Sequence, residues 1–366
     1  MIKNSANQRI GVLIAQLGTP DAPTAKALRP YLKQFLSDRR VIDYNPFYWQ
    51  TILRLFVLPR RPKRSARLYA RIWLPEGSPL TIYSNHVVEG LQERLGEQYR
   101  VILGMTYGEP SIANAMKTLE SEEIHRIVVV PMFPQYSSTT TAPIYDAVFR
   151  AAAGLNLQIL HEHKRFIPTL RFVDAYYKDE RYLSALEVHL NEQLALLDHK
   201  PDQFVITFHG IPHRYTLTGD PYRTQCEETA QLLADRMGWK EDDWTLCFQS
   251  RFGPEEWLQP YTEDVLTELA SKGVERPFVF SPGFVTDCLE TMDELGNEGR
   301  MQFEEGGGDP EKFHFIPCLN EHPMWMDTLE TLVRENSGGW DVSVESVPSE
   351  VPQTSAEKMT WQLAGD

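Results

Sequence analysis

Short runs of Val, Ile, Leu and Phe recur along this chain, separated by longer stretches with a helical period. This alternation constrains the fold more than any other feature. The runs are Ile10–Leu17, Val101–Met105, Ile127–Phe133 and Leu157–Leu160, then Phe204–Phe208, Thr245–Phe248, Phe278–Phe280 and Phe313–Ile316. Between them lie amphipathic patterns such as Leu183, Leu186, Leu190, Leu194 and Leu197. Near-continuous apolar strands alternating with helices predict parallel sheets covered on both faces. The runs divide into two sets of four, and the sets repeat one plan. Each opens on a strand running into Gly and Pro, IAQLGTP at Ile14–Pro20 and ITFHGIP at Ile206–Pro212. Each later has a strand ending in a Pro-containing loop, at Val130–Pro134 and at Phe280–Phe284. The expected fold is therefore α/β, with two Rossmann-like, doubly wound parallel-sheet domains related by pseudo-symmetry. Such sheets bind ligands at the carboxyl ends of their strands, which puts the expected site in a cleft between the halves.

The length of 366 residues agrees with two domains rather than one core. We expect an N-terminal domain over 1–165, a C-terminal domain over 166–340 and a flexible tail over 341–366, where Ser, Pro, Glu and Val follow no period. A formal charge of -15 is the wrong sign for nucleic acid, whose affinity for proteins rests on Lys and Arg against phosphate. Neither GxGxxG nor GxxxxGK[ST] occurs, so nucleotide binding has little support. The apolar run Ile10–Leu17 is too short for a signal-peptide core and no segment approaches a membrane span, which predicts a cytoplasmic protein able to rest on a membrane surface. The four cysteines, Cys226, Cys247, Cys288 and Cys318, show no CxxC-type spacing, so no zinc site, disulfide framework or iron–sulfur cluster is expected.

Several stretches could carry chemistry. His209 ends a buried strand and precedes Gly210, which puts an imidazole on a strand-to-loop corner at the expected cleft. It could act there as base or ligand, or simply bond the loop backbone. Asp287, Glu290, Glu294 and Glu298 fall at i, i+3, i+7 and i+11, one face of a helix. That row is either a solvated acidic face or a ladder of oxygen ligands that hands a cation along. A π-bulge would bring the acids into tighter line. The segment Phe47–Pro59 is apolar and aromatic, and Arg60, Arg61, Lys63, Arg64 and Arg67 follow it. It reads either as a core helix with a basic end or as an exposed apolar lip with a basic rim. The hydroxyl-rich loop Gln135–Thr141 reads as a carboxylate cradle or a helix cap.

In their order along the chain, nine segments resemble the ferrochelatases over about residues 11–340. They are LGTPDAP at 17–23, YLKQFLSDRRVI at 31–42, GSPL at 77–80, YGEPSI at 107–112 and PQYSSTT at 134–140, then FHGIP at 208–212, GDPY at 219–222, FQSRFG at 248–253 and DCLET at 287–291. The resemblance implies a porphyrin bound between the domains and insertion of ferrous iron into protoporphyrin IX, the terminal step of haem biosynthesis. It implies catalytic roles for His209 and Glu290 at the metal, with Asp287 and Glu294 on a metal or proton path. It makes 46–67 a lid, and implies porphyrin contacts at Leu17, Tyr48, Trp49, Tyr107, Ser137, Ser138, Trp257 and Phe284. Fe2+ and the porphyrin are then substrates, no cofactor is required, and peripheral membrane contact through the lid is anticipated. Three positions depart from the family pattern. Thr106 stands where many members carry Arg, Gln16 replaces a common Asn, and Leu17 stands where the coproporphyrin-using branch tends to carry Tyr. The last favours the protoporphyrin branch. The alternatives are a coproporphyrin ferrochelatase and a non-catalytic carrier of haem or porphyrin; a cobalt chelatase of the corrin pathway is a more distant third.

Overall fold

The computed structural model describes residues 9–154 and 164–340. The expected strand at Leu157–Leu160 and the expected tail after 340 lie outside the described residues.

Among the described residues, eight strands form two parallel four-stranded sheets of identical topology. In the first, β1 (Ile10–Gln16), β2 (Tyr99–Met105), β3 (Arg126–Pro131) and β4 (Thr169–Phe172) run in the order β2-β1-β3-β4. In the second, β5 (Gln203–His209), β6 (Trp244–Gln249), β7 (Pro277–Phe280) and β8 (His314–Phe315) run in the order β6-β5-β7-β8. The helices are α1 (Ala25–Ser37), α2 (Pro46–Ile52), α3 (Leu58–Ile72), α4 (Pro79–Leu95), α5 (Ile112–Ser121), α6 (Thr141–Ala153), α7 (Glu180–Ala195), α8 (His213–Leu217), α9 (Tyr222–Met237), α10 (Thr262–Ser271), α11 (Arg300–Glu305) and α12 (Pro323–Ser337). The apolar runs became strands because both faces are covered: all of β1 and β7 is buried. In each sheet the chain leaves the first strand to one side and returns to the other, so the loops after β1 and β3, and after β5 and β7, diverge into a crevice.

The expected boundary at 165 does not coincide with the division of the sheets. β4 lies beyond it yet pairs with β3, and α12 crosses back from the second half to pack on α4, β3 and β4. Arg126 and Arg171 then hold the segment that follows α12 by donating to the carbonyls of Trp340, Asn336 and Gly338. The reason is burial. Trp325, Met326 and Leu329 join Val128 and Val130 of the first sheet and Phe208 and Phe278 of the second in one continuous core. Neither half covers its inner sheet face alone.

The segment expected as a lid, 46–67, lies in one helical run with a π segment, Leu53–Val57, between α2 and α3. Asn45 caps its start by accepting from the Phe47 amide, with Pro46 in the first turn. Pro59 explains the widened turn. It has no N–H, and its ring would crowd the carbonyl of residue 55 in a regular α-helix. The Leu58 amide instead reaches the Leu53 carbonyl, an i to i−5 bond.

Candidate active site

β5 delivers His209 to its carboxyl end, paired in register with Gln249 of β6. The ring is half-buried, and its Nδ1 lies 2.6 Å from the Gly210 carbonyl oxygen. A carbonyl only accepts, so Nδ1 is the donor here, and in the neutral ring this tautomer puts the lone pair on Nε2. Trp257 and Phe284 flank the imidazole, with ring centroids 6.3 and 6.5 Å away. Gly210 is required by close approach: a Cβ there would lie 3.0 Å from the Gln249 carbonyl oxygen and 3.3 Å from the Trp257 ring. Gly18, after β1, is held more tightly, with φ +114° and a Cβ position only 1.7 Å from the Tyr107 carbonyl oxygen. Both halves therefore turn on a glycine at the cleft.

The cleft between the domains is lined by Gln16 and Leu17 after β1, Met132 and Phe133 after β3, and the stretch from Phe284 to Glu290 after β7. It is narrow, about 30 Å³. That is room for a water molecule rather than for a tetrapyrrole. Gln16 and Thr286 hydrogen-bond across it at 3.1 Å. Thr106, lacking the charge of the Arg common in the family, is nearly buried and donates to the Gln16 carbonyl.

The acidic segment is not the α-helix expected. Glu290–Gly299 is a continuous π-helix, and Asp287 lies outside it. The Asp287 carboxylate is engaged by Thr291 Oγ1 at 2.9 Å, Asn320 Nδ2 at 2.7 Å and the Cys318 amide at 3.2 Å. It anchors the segment's start rather than standing in the row. Glu290, Glu294 and Glu298 remain, each one turn apart. Glu290 reaches the cleft, while Glu294 and Glu298 line a larger groove of about 680 Å³ beneath the lid. Glu298 and Glu263 also line a second cavity together with Asp264 and Glu305. Carboxylates thus lead from the surface to the cleft.

Burial and the neighbouring Glu290 and Glu298 push the Glu294 carboxyl up to about 8, against a favourable hydrogen bond from Ser250. The residue as a whole keeps partial solvent contact, but its carboxyl end is enclosed by protein. Burial, then Asp293, also raises Glu298, with Arg71 opposing. Asp293 is fully buried, 3.4 Å from Arg71 and 2.9 Å from Asn297.

The lid has an ionic contact to the second domain at each end. Arg214 pairs with Asp43 and Glu255 at the entry, and Arg71 with Asp293 and Glu298 at the exit. Its side chains divide into two sets. Trp49 is buried, donating to the Leu36 carbonyl at 2.6 Å, so it anchors the lid rather than facing a ligand. Phe47, Tyr48, Leu55 and Phe56 point outward, between 59% and 78% exposed. Arg60, Arg61, Arg64 and Arg251 line the groove. Burial lowers the pKa of Arg61, and its Nη1 has no partner among the described residues.

The other expected contacts scatter. Tyr107 is buried, donates to Asp38 at 2.9 Å, and packs with Trp49 and Leu17 under the lid. Ser137 and Ser138 do cradle a carboxylate, but it is Asp220. Both hydroxyls and the Ser138 amide donate to Asp220 Oδ2 at 3.0, 2.7 and 2.7 Å. Both hydroxyls and the Ser138 amide are thus engaged within the protein. Two residues escaped the sequence reading although they sit in its FQSRFG motif. Gln249 is paired with His209 and donates to the Glu290 carbonyl at 2.7 Å, tying the two together. Ser250 holds Glu294 from a left-handed backbone, φ +69°, a strained conformation for a residue with a Cβ. A polar pair directly after a strand, in a segment already marked by resemblance, was the available signal.

Two α/β sheets of one topology, with an imidazole at the end of β5 and a row of acids in the helix after β7, define a two-lobed chelatase architecture. The chain belongs to the ferrochelatase family, whose model matches residues 9–337. It is 46% identical over 336 residues to proteins named ferrochelatase from Brucella canis and Brucella ovis, covering 91% of this chain and 92% of each relative. Among solved structures it shares its fold with the sirohydrochlorin chelatase SirB of Bacillus subtilis, at a TM-score of 0.53 and 13% identity over 90% of this chain and 96% of that one. No helix among the described residues is long and apolar enough to cross a membrane.

Proposed function

We propose that this chain inserts ferrous iron into protoporphyrin IX, releasing both inner pyrrole protons. The observation that carries the reading is an imidazole at the end of β5 that is tied through Gln249 to Glu290 at the cleft, with Glu294 and Glu298 following in the groove beneath the expected lid. Insertion must strip water from Fe2+, expose the ring nitrogens and remove two protons. Oxygen ligands exchange stepwise, so Glu298, Glu294 and Glu290 suit dehydration and delivery of a hard divalent ion. His209 Nε2 suits a base that takes or guides pyrrole protons. A flat ring hides its nitrogen lone pairs in its plane, and gripping its apolar edge supplies energy to bend it. Leu17, Phe284 and Trp257 are the apolar surfaces for that grip, and Arg61, with an unpartnered nitrogen in the groove, suits a propionate. Fe2+ is a substrate here, and the scheme needs no resident cofactor.

The choice of protoporphyrin over coproporphyrin rests on Leu17, an apolar side chain where the other branch tends to carry Tyr. The outward row Phe47, Tyr48, Leu55 and Phe56 beside Arg54 and Arg60 supports peripheral contact with an anionic membrane surface, on its cytoplasmic face. The test is anaerobic turnover with Fe2+, offering protoporphyrin IX and coproporphyrin III in parallel and following loss of porphyrin fluorescence. Faster loss with protoporphyrin, abolished in His209→Ala and in Glu290→Gln, is expected. Preference for coproporphyrin overturns the reading of Leu17. Ring binding without turnover by the folded wild-type chain makes it a carrier, and normal turnover by His209→Ala refutes the mechanism.

A further inference from the structure

Away from the cleft, α7 and the start of α12 bring two imidazoles and a carboxylate together. His189 and Glu192 lie at i and i+3 on one face of α7, and His322 caps α12. One donor atom from each lies within 4.8 Å of the others, so small side-chain rotations would close the set on one ion. His322 Nε2 and Glu192 Oε2 are already 3.1 Å apart. The edge of a tetrahedral zinc site is ~3.3 Å for bonds of ~2.0–2.1 Å.

The surrounding bonds prepare these groups as ligands. His189 is buried, and its Nε2 lies 2.9 Å from the Pro317 carbonyl oxygen. That nitrogen must carry the proton, which leaves Nδ1 with a lone pair. A ligating histidine usually has its other nitrogen held in this way. His322 has Nδ1 buried and without a partner among the described residues. Its ring therefore offers more bonding capacity than the protein uses. Glu192 is exposed and opens the cluster to solvent, and Glu321 beside His322 offsets the positive helix start.

We propose that His189, Glu192 and His322 form a second divalent-metal site of the zinc type, with solvent as fourth ligand, clamping α7 to α12. Its place in the fold gives it a consequence. The loop from β8 to α12 accepts from His189 at Pro317, holds Asp287 through Cys318 and Asn320, and ends at His322. An ion here fastens the loop that anchors the acidic π-helix, without touching the cleft.

The test uses the full chain, stripped of metal and titrated with Co2+ and then Zn2+. It is run in a His209→Ala/Glu290→Gln background so that the cleft contributes no nitrogen ligand. One Co2+ equivalent with the intense visible absorption of four-coordinate cobalt is expected, displaced by Zn2+, with a rise in melting temperature. His322→Gln and His189→Gln, checked for fold by circular dichroism, lose both the band and the thermal shift, and Glu192→Gln weakens binding. His322→Gln is the decisive variant if His189→Gln fails to fold. An unchanged cobalt spectrum in His322→Gln overturns the proposal, as does the lack of any such band in the cleft-disabled chain.

Discussion

Glu294 provides the sharpest test of the site's electrostatics, because its enclosure predicts a stability change of known sign and pH range. Its carboxyl is raised to about 8 from an ordinary 4.5, chiefly by burial and by Glu290. A folded-state value above the unfolded one means that the native state holds the proton more tightly. Between about pH 4.5 and pH 8 the unfolded state binds fewer protons at this group, so stability falls as pH rises; below and above that window the contribution is flat. At about 1.4 kcal/mol per unit, the full shift sets a ceiling of about 5 kcal/mol. Relaxation around the coupled acids Glu290 and Glu298 reduces this, and about 2–3 kcal/mol is the expected reading above pH 8. Glu294→Gln keeps the size and the acceptor for Ser250 while removing the ionisation. The variant should match wild type near pH 4.5, gain about 1–2 kcal/mol at pH 7 and reach its full advantage at pH 8.5. Urea unfolding followed by tryptophan fluorescence at the three pH values measures it. An advantage independent of pH, or a variant less stable than wild type at pH 8.5, refutes the claim that enclosure holds this carboxyl neutral.

Other consequences follow from the same geometry. Asp220→Ala strands the donors of Ser137 and Ser138 and should cost about 3 kcal/mol in urea unfolding, while the folded fraction keeps its porphyrin KM. Gln16→Ala removes the bond to Thr286 across the cleft; a loss of about 1–2 kcal/mol is expected, with no change in metal dependence. Trp49→Ala empties the lid's buried anchor, worth about 3–5 kcal/mol locally, so amide exchange over 46–67 should accelerate and the porphyrin KM rise. Replacing the exposed Phe47 and Tyr48 by Ser should change stability by less than about 0.5 kcal/mol but weaken sedimentation with anionic vesicles.

Much of this was legible in the residues alone. The apolar runs located seven of the eight strands, because a strand buried on both faces must be apolar throughout. Thr169–Phe172 escaped notice because it is a short edge strand, none of whose residues is buried. The repeated strand-Gly-Pro plan announced the two-fold architecture and brought His209 to a strand end. Tertiary contacts decided the rest, because a residue's partners and local dielectric depend on segments remote in the chain. The loop Gln135–Thr141 read as a carboxylate cradle, and only folding brought Asp220 into it. Trp49 and Tyr48 are neighbours in one aromatic run, yet packing turned one inward and left the other in solvent. The acidic row read first as a solvated face, with a ladder as the sharper alternative. Its π geometry, the withdrawal of Asp287 and the upward shift of the Glu294 carboxyl depend on Gln249, Ser250, Asn320 and the segments packed around it.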